Sequence, residues 1–299
     1  MINHIFYHSV DLDGKCSGAI AYRAVKPLAG DIKMHPINYG DEFPWAEVKP
    51  EDTVYMLDFS LQPSALMKRL EESCTRLVWI DHHISAIEEV MPLLTSKVEG
   101  FQDSEFAACE LAWMFFYDTE VPWHITLLGN YDIWKHDDLR VIPFQYGMRT
   151  FRNEPTVIVD ELEILNPLWE TVIQSQKAFL IECMSRGDVV LSYIKSESKV
   201  AKQLCFEAVM KLNGVPYSAI LMNKPFVGSK GFDGLYDEGK HDLMVTFHMI
   251  ASGRWTVSLY TTHDDLDVSK ICSSYGGGGH AMAAGFQIDG KKLMAMLGQ

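Results

Sequence analysis

The sequence predicts an α/β protein: an N-terminal open, mostly parallel sheet flanked by helices, a long helical connector, and a smaller C-terminal α/β domain with a mixed sheet. Strand-like apolar runs at 5–8, 53–58 and 77–80 alternate with helical patterns at 16–29, 63–73 and 106–117, which is the rhythm of parallel βαβ units. The runs show little polar alternation, as strands do when helices cover both faces of a sheet. Apolar residues from about 160 to 205 recur at near-helical spacing, and after Gly214 the pattern alternates at 243–250 and 255–260, the mark of a second sheet. At 299 residues the chain exceeds the roughly 100–200 residues of one domain. The expected boundaries are 1–155, 156–204 for the connector, and 205–299.

Apolar residues make up 47% and charged residues 22% of the chain, enough apolar content for real cores. No run approaches the roughly 20 apolar residues of a membrane span, and no export signal precedes the first strand. The six cysteines are scattered and form no CxxC pair. They read as small buried hydrophobes in a reducing, cytoplasmic setting rather than as disulfides or a zinc site. The net charge of −14 disfavours long nucleic acids, whose binding relies on many Lys and Arg contacts to phosphate. A phosphate-bearing substrate should therefore be short, its charge met locally.

Five places could carry chemistry. His8, Asp11 and Asp13 follow the first strand, with Gly14 allowing a tight turn; ligands sit at such strand ends in doubly wound sheets, although helix capping explains the aspartates as well. Asp58 ends the second apolar run, where a lone Asp is ordinarily a loop starter. Asp81-His82-His83 follows a third. Adjacent imidazoles there are hard to explain by packing, because both ring nitrogens need partners. One imidazole would bind a cation, Asp81 would fix its tautomer, and the neighbouring His would face substrate. Asp132 lies among apolar residues, where an unpaired carboxylate is costly. Finally, Gly276, Gly277, Gly278 and Gly279 precede His280. Between strand-like segments they suggest amides pointed at an anion rather than a linker.

Taken in order, these motifs resemble the DHH phosphoesterase superfamily, in the branch with a DHH-associated C-terminal domain that includes nanoRNase- and RecJ-like enzymes. The likeness runs from His8 to Phe286, with Asp81-His82-His83 as the name-giving motif and Gly276–His280 followed by Ala283-Ala284-Gly285-Phe286 as the glycine-rich signature. The spacing of His8 to its two aspartates departs by one position from that of many relatives. The resemblance implies a catalytic first domain and a substrate-binding second one. His8, Asp11 and Asp58 would hold one divalent cation; Asp13, Asp58, His82 and Asp132 would hold the other, with Asp58 bridging. His83 would meet the phosphate or the attacking water, and Arg254 with His280 would bind a substrate phosphate.

The expectation is a two-metal phosphodiesterase, an exonuclease-like oligoribonuclease that releases mononucleotides from short single-stranded oligonucleotides. The mixed imidazole and carboxylate set suits Mn²⁺ better than Mg²⁺. Alternatives are a phosphatase or phosphodiesterase on a small nucleotide, such as 3′-phosphoadenosine-5′-phosphate or a cyclic or linear dinucleotide, and a non-catalytic nucleotide-binding module. No long duplex or membrane is expected as a partner; a homodimer is compatible with the sequence.

Overall fold

The computed structural model describes residues 1–28, 30–225 and 228–298. Ala29, at the end of the first expected helix, lies outside the described residues, as do Phe226, Val227 and Gln299 of the expected second domain and the side chains of residues 198–202. The chain divides into two units, Met1–Asp188 and Val189–Gln299.

In the first unit the order is β1 (Ile2–His8), α1 (Leu12–Val25), β2 (Asp31–Ile37), β3 (Thr53–Leu57), α2 (Ala65–Ser73), β4 (Arg76–Ile80), α3 (Ile84–Val90), α4 (Ala108–Phe116), α5 (Trp123–Asp132) and α6 (Val141–Met148). The four strands pair in the order β2-β1-β3-β4, all parallel. After β1 the chain steps to one side and then returns to the other, so the crevice between the ends of β1 and β3 is a topological switch point, where ligands bind in open α/β sheets. Alternate residues of the strands feed two cores. Ile5, Tyr7, Tyr55, Leu57, Val78 and Ile80 pack with α1 and α4 to α6. Phe6, Val54, Met56, Leu77 and Trp79 pack on the other face with Met67 and Leu70 of α2 and Ala86 and Val90 of α3. Such double cover is why these strands read as continuous apolar runs.

Next come β5 (Thr156–Val159), β6 (Leu162–Leu165), α7 (Pro167–Ile173) and α8 (Lys177–Ala201). The expected helix therefore does not begin near 160. Residues 156–165 form an antiparallel hairpin, turned by Asp160 and Glu161, both with positive φ, the conformation a two-residue hairpin loop requires. The spacing of Leu162 and Leu165 fits a helix as well as a strand, and the turn lacks the Gly that announces it. Among the described residues no helix is long and apolar enough to cross a membrane.

The second unit carries β7 (Cys205–Leu212), β8 (Val215–Met222), β9 (Leu243–Met249), β10 (Trp255–Tyr260), α9 (Val268–Ser273), β11 (Gly278–His280), β12 (Ala283–Ile288) and α10 (Gly290–Met296). The sheet order is β11-β12-β10-β9-β8-β7. It is mixed: β8 pairs β9 in parallel and the other pairings are antiparallel. Its main core joins Val245, Val257 and Phe286 of the sheet to Ile271 of α9 and Leu293 of α10.

Candidate metal centre

Three strand ends and one helix end bring the first unit's predicted residues together. His8 closes β1, and Asp11 is the N-cap of α1, its Oδ1 accepting the Gly14 amide at 2.8 Å. That leaves Oδ2 facing His8 Nδ1 at 2.6 Å, so Asp11 caps α1 with one oxygen and turns the other to His8. Gly14 is required there: a Cβ would sit 2.2 Å from the His8 carbonyl oxygen. Asp13, in the first turn of α1, has both oxygens engaged by the start of α4. Oδ2 accepts from Ala108 N at 2.9 Å and Oδ1 from Cys109 N at 2.7 Å. The residue preceding α4 is Ala107, which has no oxygen to cap with, so Asp13 supplies the cap across 95 residues of sequence.

Asp58 follows β3 with φ of 54°, a left-handed conformation that Asp and Asn tolerate better than most residues. Its Oδ2 lies 3.6 Å from His8 Nδ1 and its Oδ1 lies 3.2 Å from His82 Nε2. His82 Nε2 is also 3.4 Å from Asp13 Oδ2 and 3.3 Å from Asp132 Oδ2, Asp132 being the last residue of α5. Three groups of converging ligand atoms result in this unit, His8–Asp11–Asp58, Asp13–His82–Asp132 and Asp58–Asp81–His83, and Asp58 turns Oδ2 toward the first group and Oδ1 toward His82 of the second.

Asp81 serves a different imidazole from the one expected. Its Oδ1 meets His83 Nδ1 at 2.8 Å and accepts the backbone amides of His82 and His83 at 2.8 and 3.2 Å. The tautomer it fixes is that of His83.

The electrostatics are those of a crowded anionic pocket. Burial, then the neighbouring Asp58 and Asp132, pushes the Asp13 pKa well above the usual carboxylate range. Burial and Asp58 likewise raise that of Asp11. Burial opposes ionisation of Asp58 too, but the His8 and His82 imidazoles outweigh it and hold its pKa low. For His8 and His83 burial disfavours the proton, yet the carboxylates prevail: Asp11 and Asp58 lift His8 to about 11, and Asp81 foremost lifts His83 to about 9.

These residues fit divalent cations. His8 Nδ1 and Asp58 Oδ1 are buried and make no hydrogen bond although oxygen and nitrogen atoms stand close by. A single imidazole N–H cannot satisfy three carboxylates converging on it, and unpaired buried charge is expensive. A dication between the groups removes both problems, and the oxygen and imidazole donors suit Mn²⁺ or Mg²⁺ rather than a closed thiolate site.

Tyr39 and Phe59 were not among the expected site residues. Tyr39, 46% exposed, sets its ring centroid 5.8 Å from that of His8 and 4.7 Å from that of Phe59. It follows β2, an edge strand whose Pro36 hides the strand pattern.

In the second unit the expected anion grip does not assemble. Arg254 precedes β10 at the Trp255↔Ile288 end of the β10–β12 pairing, whereas His280 pairs Ala283, opposite Tyr260 at the other end. The two backbone positions are roughly 20 Å apart along the strands, and the Arg254 guanidinium donates to the Gln287 carbonyl at 2.6 Å. Nor do the first glycine amides point at a ligand. Gly276 N and Gly277 N donate to the carbonyls of Ser273 and Cys272, each at 3.0 Å, closing the end of α9 as glycines commonly do. Gly278 and Gly279 lie in β11. A Cβ on Gly277 would fall 2.0 Å from the Gly285 oxygen. Close sheet packing therefore accounts for Gly277 and Gly279, and a positive φ for Gly276.

No protein-family model matches the chain. An uncharacterised protein R106 of Acanthamoeba polyphaga mimivirus is 27% identical over 244 residues, 80% of this chain and 54% of that one, so the chain spans about half the length of that relative. Oligoribonuclease NrnB of Bacillus subtilis is 52% identical over 40 residues, 13% of this chain and 10% of its own. Among solved structures, the pGpG-specific phosphodiesterase PggH of Vibrio cholerae is 12% identical with a TM-score of 0.49, covering 99% of this chain and 96% of its own. RecJ of Thermus thermophilus is 15% identical with a TM-score of 0.42, covering 99% and 48%.

Asp81-His82-His83 stands at the end of a parallel strand, with Asp13, Asp58 and Asp132 gathered against His82 in a carboxylate–imidazole cluster. Their order along the chain resembles that of the DHH phosphoesterase superfamily.

Proposed function

We propose that the protein is a Mn²⁺-dependent phosphodiesterase that hydrolyses short oligonucleotides from an end and releases mononucleotides. The observation that carries this reading is the meeting of Asp13, Asp58 and Asp132 oxygens within 3.2–3.4 Å of one imidazole nitrogen, with the second Asp58 oxygen turned to His8. His8, Asp11 and Asp58 would hold one cation and Asp13, Asp58, His82 and Asp132 the other. Bound there, two divalent cations supply Lewis acidity and lower the pKa of water.

The remaining work belongs to the chain itself. The Asp58 carboxylate, fixed by its left-handed backbone, spans both groups. The α4 amides hold Asp13 so that it cannot swing away. Asp81 orients His83 through Nδ1, and His83 would donate to a phosphate oxygen or take a proton from the attacking water. Four carboxylates against two dications leave the pocket near neutral, so a phosphate anion can enter. The net charge of −14 supports a short substrate, and the stretch shared with NrnB supports an oligoribonucleotide. His280 is retained as a phosphate contact by family resemblance. The six cysteines, all free, are in keeping with a reducing cytoplasm.

A substrate panel with Mn²⁺ and with Mg²⁺ tests the reading, using di- to pentanucleotides, 3′-phosphoadenosine-5′-phosphate, cyclic dinucleotides and pyrophosphate. The highest kcat/KM is expected on di- to pentanucleotides with Mn²⁺, giving mononucleotides. Absence of metal-dependent turnover on every ester would sink it.

Tyr39, beside His8 and Phe59, would stack on a substrate base. Base–aromatic stacking contributes about 1–3 kcal/mol, so Tyr39→Ala should raise KM for a dinucleotide roughly tenfold, with metal affinity unchanged and Tyr39→Phe close to the parent. Equal KM values for parent and Tyr39→Ala would remove the stacking role.

A further inference from the structure

Within the second unit a cavity of about 580 Å³ is lined by Lys211, Arg254, Tyr275, Asp289, Lys292 and Met296, among others. Its size lies within the ~300–1,000 Å³ usual for small-molecule sites. The lining is two-sided. Met296 and the neighbouring Ile288 are buried and apolar. Lys211, Arg254 and Lys292 are exposed cations and Asp289 is the one carboxylate of the lining, which leaves two positive charges in a chain whose net charge is −14. Tyr275 is a fixed wall: its ring stacks on Phe286 at 4.7 Å and its hydroxyl accepts the Asn213 amide at 2.7 Å. The Arg254 guanidinium is also held, by the Gln287 carbonyl.

The geometry points to a nucleoside-monophosphate site in this cavity. Its cations would meet the phosphate dianion, and its apolar side would take the sugar and base. Inorganic phosphate would fill a small part of the space, and an uncharged nucleoside would leave three cations facing one carboxylate. The site is distinct from the glycine run and from His280, and it requires nothing of the metal centre.

Calorimetric titration of the full chain in EDTA with adenosine 5′-monophosphate tests it. Without cations the carboxylate pocket repels the anion, so failure of the metal-centre reading would leave this result untouched. Saturable binding is expected, weaker at higher salt, with adenosine and inorganic phosphate each binding at least several-fold less tightly. Lys292→Glu and, separately, Lys211→Glu should weaken binding roughly tenfold, the scale of a charge-assisted hydrogen bond. Both side chains are exposed and neither has a partner among the residues holding Tyr275, so the variants should fold, as circular dichroism would confirm. No saturable binding of the monophosphate, equal binding of adenosine, or unchanged affinity in both variants would overturn the proposal.

Discussion

Asp58→Asn is expected to abolish metal-dependent hydrolysis, with a fall in kcat of roughly 10³-fold or more, the scale of losing a principal electrostatic element of an active site. Asn is the informative replacement. It tolerates the positive φ of position 58 and keeps the side-chain volume, whereas Ala would add backbone strain to the loss of charge. With one oxygen 3.2 Å from His82 and the other 3.6 Å from His8, the Asp58 carboxylate is the shared member of both groups. Its neutral counterpart should weaken both cation sites together. Asp132→Asn, with one oxygen 3.3 Å from His82, should weaken one. A metal titration separates the cases: two weakened sites for Asp58→Asn and one for Asp132→Asn. Turnover near the parent level in Asp58→Asn with saturating Mn²⁺ would end the bridging role.

Adding Mn²⁺ to chelator-treated protein should raise Tm by several degrees. A ligand at a hundred times its Kd stabilises by about 2.7 kcal/mol, and 1 kcal/mol moves Tm by roughly 2–4 °C in a unit of this size. The sign with pH is informative. Without metal, His8 has its pKa lifted to about 11, so the stability from its pairing with Asp11 and Asp58 is present below the unfolded value near 6.5 and is lost as pH rises toward 11. Metal binding must displace that proton, so the metal-induced gain in Tm should grow with pH. Scanning calorimetry at pH 6 and pH 8.5, with and without Mn²⁺, reads both effects. A Tm indifferent to Mn²⁺ at both values would argue against any bound cation.

The residues that could be found in sequence were those ending uninterrupted apolar runs. His8, Asp58 and Asp81-His82-His83 each follow a strand buried on both faces, and burial leaves a plain trace in composition. Contacts made over long separations left none. The cap that Asp13 gives to α4 spans 95 residues, and the partner of Asp81 depends on side-chain direction, which spacing does not encode. The hairpin at 156–165 was hidden because its leucines satisfy two periodicities. In the second unit, pairing Arg254 with His280 took a run of glycines for an anion nest, when β-register separates the two residues and the end of α9 consumes the first amides.

The attachment of Asp13 to the first turn of α4 ties folding to the proposed metal centre unevenly among the acidic residues. A lineage drifting toward a catalytically dead homologue could discard Asp132, near the surface, at small cost to the scaffold. Discarding Asp13 would leave two amides of a buried helix start with nothing to accept them. Descendants that no longer hydrolyse anything should therefore keep the aspartate at position 13 as a fossil of the chemistry, long after its neighbours have changed.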